Sequence, residues 1–65
     1  MSEQTGDTRD ILTVDEALRY LRIARPTLYR YTSEKRIPHF HVGRKVLFDR
    51  FELDRWLDAQ RVEVQ

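Results

Sequence analysis

The sequence predicts a small, mostly α-helical domain with one β-hairpin, in the order helix, turn, helix, hairpin, helix. Three observations carry this prediction. Two stretches of helical character, Val14–Leu21 and Arg25–Ser33, are separated by only three residues. A period-two run broken by a glycine, from Phe40 to Phe48, follows them. A last helical stripe, headed by a capping residue at Asp49, closes the pattern.

At 65 residues the chain has room for one domain. A chain this short buries only about 60% of its unfolded surface, so the core is thin and an enclosed small-molecule substrate pocket is not expected. Without cysteine, neither a disulfide framework nor a thiolate metal site can staple it. Hydrophobic residues at 40% against 35% charged residues suit a globular domain. No apolar run approaches the roughly 20 residues that span a bilayer, so no membrane partner is expected. The opening Met1-Ser2-Glu3-Gln4-Thr5-Gly6-Asp7 has neither a basic nor an apolar secretory segment, and the expected setting is the cytoplasm. Residues 1–10 read as a flexible tail, 11–60 as the domain and 61–65 as a fraying end.

The first helix is announced by Thr13, a good N-cap, with Glu16 three positions on to complete a capping box. Val14, Ala17, Leu18 and Leu21 then repeat at helical spacing. Arg22-Ile23-Ala24 interrupts the pattern, and Pro26 marks the first turn of a second helix from Arg25 to Ser33. Leu28 and Tyr31 face inward in this reading; Arg25, Thr27 and Arg30 face out. Two short helices with a three-residue turn outline a helix-turn-helix. Ile37-Pro38 ends the helical region. Phe40 and Val42 alternate with His39 and His41, Val46 and Phe48 form a second strand, and Gly43-Arg44 supplies a tight turn between them. Asp49 with Glu52 reads as a second capping box, followed by a helix from Arg50 to Gln60 whose inner stripe is Leu53, Trp56, Leu57 and Gln60, with Phe51 near its start.

The formal net charge of +1 conceals a segregation. Residues 1–18 carry one arginine against five acids, a net −4; residues 19–46 carry eight Lys/Arg against Glu34 alone, a net +7; residues 47–65 carry three arginines against five acids, a net −2. A basic block between acidic flanks is suited to meeting a polyanion with one face.

Leu12-Thr13-Val14-Asp15-Glu16-Ala17, Arg25-Pro26-Thr27-Leu28-Tyr29-Arg30, Ile37-Pro38, Val42-Gly43-Arg44-Lys45 and Leu53-Asp54-Arg55-Trp56-Leu57 together resemble the excisionase-type helix-turn-helix family. That family lies within the wider winged-helix group that includes the MerR-type regulators. The resemblance covers about residues 12 to 58. It implies a winged helix-turn-helix that binds double-stranded DNA, with the second helix in the major groove and the hairpin wing on the backbone or minor groove. It departs from the family pattern at three positions: Arg22 and Lys35 stand where glycine is common, and Ala24 where serine commonly caps the second helix.

The candidate DNA-binding residues are Arg25, Thr27, Tyr29 and Arg30 on the second helix and Arg44 and Lys45 at the wing tip. Arg25, in a first helical turn whose N–H groups point outward, suits a phosphate. Arg30 can pair with guanine O6 and N7, Thr27 with a phosphate or thymine methyl, and Tyr29 with a phosphate. Arg44 and Lys45 beside Gly43 suit a minor groove or its flanking phosphates. Arg19 and Arg22 serve equally well as cations completing the dipole of the first helix, and Tyr29 as a packing residue.

His39 and His41 share a strand face but have no evident third metal ligand, and they read as exposed wing residues. The carboxylates Asp49, Glu52, Asp54 and Asp58 read as caps and a solvated helix face, and Phe40, Phe48, Phe51 and Trp56 as core. No nucleophile–base set, P-loop or dinucleotide motif is present, so neither catalysis nor a cofactor is expected. The expected partners are double-stranded DNA, with further copies bound cooperatively or a recombinase or regulatory protein. The two uses that fit are transcription regulator and recombination accessory factor. A different reading keeps the fold but makes it the protein-interaction module of a phage or mobile-element regulator, docking through the acidic third helix and tail.

Overall fold

The computed structural model describes residues 9–63, and over them the chain forms three helices and three strands. In chain order these are β1 (Ile11–Leu12), α1 (Val14–Leu21), α2 (Arg25–Ser33), β2 (Phe40–Val42), β3 (Lys45–Asp49) and α3 (Arg50–Ala59). The mostly α-helical architecture with a hairpin wing is as the sequence predicts. The sheet has three strands instead of two, in the order β1-β3-β2. β1 runs antiparallel to β3, pairing Ile11 with Asp49 and Leu12 with Phe48. The Arg50 N–H extends this pairing by donating to the carbonyl of Asp10 at 2.9 Å. Residues 1–8 of the expected tail, and Val64 and Gln65 of the expected fraying end, lie outside the described residues.

The caps explain why the helices start where they do. Thr13 Oγ1 accepts from the Glu16 N–H at 3.2 Å while Glu16 Oε1 accepts from the Thr13 N–H at 2.8 Å, a complete capping box. No side chain caps α2, whose N-cap position is Ala24. At α3 the expected box with Glu52 does not form. Asp49 Oδ1 accepts from the Phe51 N–H at 3.1 Å instead, because a short aspartate side chain closes readily onto the backbone two residues on.

Both positions where a glycine is common adopt left-handed backbone, Arg22 at φ 59° and Lys35 at φ 58°. Each closes a helix. The Arg22 N–H returns to the Leu18 carbonyl at 2.7 Å. Beyond α2, the Lys35 N–H bonds the Thr32 carbonyl and the Arg36 N–H bonds the Tyr31 carbonyl, the paired reverse bonds of a Schellman ending. A residue with a Cβ pays steric strain in this region that glycine does not, partly offset by the greater freedom glycine loses on folding. Arg22→Gly and Lys35→Gly are therefore each expected to stabilise the fold by about 0.5–1 kcal/mol. In thermal unfolding that is a rise of about 2–8 °C for each variant. A fall in either midpoint would contradict the strained-cap account.

The core takes one buried residue from each helix, one from the central strand and one from the link before the wing: Ala17, Leu28, Leu53, Phe48 and Ile37. Leu12, Val14, Leu18, Leu21, Ile23, Tyr31, Val46 and Trp56 pack around these. Leu57 and Gln60 of the expected stripe of α3 face water, and so does Phe51 near its start, at 67% exposure. At about 100° per residue, Phe51 stands nearly opposite the buried Leu53, which sets the direction of the helix. Phe40 is half-buried. Trp56 is half-buried too; its Nε1–H donates to the Arg36 carbonyl at 2.7 Å and its ring meets Tyr31 edge-on at 5.8 Å. α3 thereby fixes the end of α2. On the other side, the Tyr20 hydroxyl donates to Asp54, and Arg50 bridges Asp54 and Asp10, tying α1, α3 and the entry to β1 together.

Candidate nucleic-acid interface

The wing turn is set by Gly43, whose φ of +61° occupies the left-handed region. Arg44 follows without a positive φ. A positive φ at the first central residue alone marks the tight hairpin turn that matches strand twist. The turn holds Val42 opposite Lys45, so Arg44 and Lys45 project from the tip and are both exposed.

This tip comes up beside the second helix. A cleft of about 470 Å³ lies between them, lined by Thr13 and Val14 at the start of α1, Tyr29 of α2, and Arg44, Lys45, Val46 and Leu47 of the wing. Tyr29 is 46% exposed, so it belongs to the surface and not to the packing. Arg25 lies one helical turn before Tyr29 on the same face of α2. Its guanidinium pairs with the Asp15 carboxylate of α1. Asp15 first, and Tyr29 after it, raise the Arg25 pKa above the ordinary arginine value. The same pairing holds the Asp15 carboxyl below the usual carboxylate value, with Arg19 adding a smaller pull.

The six candidate residues therefore divide. Arg25, Tyr29, Arg44 and Lys45 gather around the junction of α1, α2 and the wing. Arg30 is exposed but sits about 100° further round α2 than Tyr29, and its guanidinium lies over the Tyr31 ring at 5.9 Å. Thr27 is half-buried on the flank of α2 away from Tyr29. Arg36, in the basic block but not among the candidates, pairs with Glu34 and lies over the Tyr31 ring at 5.1 Å from its centre. Among the described residues, Arg19, Arg22, Arg30, Lys35, Arg44, Lys45 and Arg55 make no ion pair.

The histidines differ from the expectation. His41 is exposed, but His39 is half-buried: its Nδ1 bonds the Ile37 carbonyl at 2.7 Å and its ring lies 6.4 Å from that of Phe48. His39 thus helps lead the chain from Ile37 into β2. Sequence reasoning missed Thr13, Val14 and Asp15 as neighbours of the interface. In the sequence Asp15 stands only as an acid at the start of α1, and its partner is ten residues away, a separation to which no periodicity points.

A family model described as a helix-turn-helix domain matches residues 11–61. The chain belongs to that family. Neither a curated protein nor a solved structure matches it. As a helix-turn-helix domain, it is a small DNA-binding protein. Within this domain α1 and α2 are the two helices of the motif, and the Arg22-Ile23-Ala24 link is the turn. No helix among the described residues is long and apolar enough to cross a membrane.

Proposed function

We propose that this helix-turn-helix domain binds double-stranded DNA with α2 in the major groove and the wing tip on the flanking phosphates or minor groove. The observation that carries this is the cleft where Tyr29, Arg44 and Lys45 meet beside the exposed face of α2. Arg30, exposed further round α2, reads a base edge; Arg44 and Lys45 hold the backbone; Tyr29 and, on a preferred site, Arg25 serve phosphates at the junction. Thr27 makes at most a marginal contact from its flank. The domain acts by occupying a site and recruiting or excluding others, without chemistry or cofactor, in the cytoplasm.

Transcription regulation and excisionase-like assistance to a recombinase both fit this docking, as does a relation to the MerR-like winged-helix group. A single module of this size buries about 600–1,000 Å² on DNA, so cooperative binding of neighbouring copies, or help from a partner protein, supplies the rest of the affinity.

The test is a titration of duplex DNA at several salt concentrations. If about five phosphates are neutralised, log K falls against log salt with a slope near −4 to −5. Backbone amide shifts centre on α2 and the wing. Arg30→Ala costs about 1–3 kcal/mol on a preferred site and relaxes base preference at one position, measured by selection from a random pool. An unchanged preference would remove Arg30 from the reading.

One observation favours a second reading. Phe51 and Leu57 are exposed on an α3 that also carries Glu52, Asp54 and Asp58, a surface fit for a protein partner. The protein-interaction module predicts no amide shifts with duplex DNA even at low salt.

A further inference from the structure

The first helix places an acid against the cation that heads the second. Asp15 lies in the first turn of α1, immediately after Thr13 and Val14, which form one wall of the cleft closed on the other side by Arg44 and Lys45. Its carboxylate holds the guanidinium of Arg25, at the first position of α2. Both side chains remain open to water, Arg25 at 51% and Asp15 at 62% exposure, so the pair can exchange partners without unfolding anything. A carboxylate and a phosphate oxygen present the same chemistry to a guanidinium, a planar fork of N–H donors meeting anionic oxygen.

Resting on the DNA-binding reading, we propose that Asp15 is an internal competitor for DNA phosphate: it occupies Arg25 and keeps that cation out of the electrostatic contact with arbitrary duplex. Two effects combine. The Arg25 charge is already paired, so it releases no counterion from DNA, and the carboxylate repels any phosphate that approaches Arg25. Sequence-independent binding is almost wholly of this electrostatic kind. Asp15 therefore lowers the background against which base reading by α2 is measured, and it keeps Arg25 aligned beside Tyr29 in the free protein.

Asp15→Asn is nearly isosteric and removes the competing charge. Each phosphate contact contributes about 0.9 to the salt slope, so a released Arg25 is worth roughly eightfold in affinity for random-sequence duplex at about 0.1 M salt. The expected result is that gain, with a slope steeper by about 0.9. In an Arg25→Gln background the same Asp15→Asn change gives a distinctly smaller gain. Unchanged or weaker binding by Asp15→Asn overturns the proposal. So does a gain that persists in full without Arg25, which would reduce Asp15 to one more repelling charge. A DNA-free measurement separates the causes: the Asp15 carboxyl, followed by NMR, titrates below the ordinary aspartate range in the wild type and returns to it in Arg25→Gln. Failure to return means the pair does not form in solution, and the proposal falls on that ground alone. A carboxyl that behaves as expected, with no protein binding duplex even at low salt, instead ends the DNA reading and the proposal with it.

Discussion

Phe48→Ala is expected to abolish cooperative folding at room temperature. Phe48 is fully buried at the centre of the sheet, paired with Leu12 on one side and flanked in β3 by Leu47, which pairs with Phe40 on the other. Truncating a buried phenylalanine costs about 3–5 kcal/mol in lost transfer energy and cavity formation. A domain of this length has only about 3–10 kcal/mol of stability to lose. The core has five buried members and no cysteine, so no second cluster or cross-link compensates among the described residues. Circular dichroism then shows a broad, non-sigmoidal melt, and amide NMR dispersion collapses. Phe48→Leu keeps most of the volume and costs less, with a cooperative melt retained. A shift of only a few degrees for Phe48→Ala would mean that the core lies elsewhere.

The largest effect on binding is expected from the double replacement Arg44→Ala and Lys45→Ala. Both residues are exposed at a turn whose geometry is set by Gly43, so the fold survives their loss. If each holds one phosphate, removing both flattens the salt slope by about 1.8 and lowers affinity roughly sixtyfold at about 0.1 M salt. The loss is equal across DNA sequences, because phosphate contacts carry no base information. That uniformity separates the wing from Arg30, whose removal changes which sequence is preferred. A double variant that keeps the wild-type slope would take the wing off the DNA.

Much of this arrangement is legible in the sequence because it is written in short-range chemistry. Thr13 with Glu16, Pro26 in a first turn, Gly43 between alternating strands and Asp49 before an apolar stripe each act within a few residues, and each marks an element boundary found in the structure. What escaped depends on partners far along the chain. β1 has only two residues, too few to show a period, and its partner β3 lies nearly forty positions on. Phe51 is apolar, yet hydrophobicity alone does not say which side of a helix meets water; Leu53 decides that by being buried. Thr27 is half-buried for a similar reason, since the flank of α2 that packs is fixed by Leu28 and Tyr31 together.

At the site, the gathering of Tyr29, Arg44 and Lys45 follows from placing a hairpin directly after the second helix. The ion pair of Arg25 with Asp15 does not, because it needs the crossing of two helices that only the folded core defines. Arg22 and Lys35 illustrate a third case. Their identity as departures is visible in the sequence, but their left-handed backbone emerges only from the reverse hydrogen bonds that close α1 and α2.

The seat of Trp56 gives the protein a built-in optical gauge. It is the sole tryptophan of the chain, and its indole is hydrogen-bonded to the segment just after α2 and stacked edge-on against Tyr31, whose ring also lies under the Arg30 guanidinium. Any rearrangement at that helix end reaches the indole within two side chains. Its ultraviolet emission therefore follows events on α2 in unlabelled protein, at the dilution where tight association has to be measured.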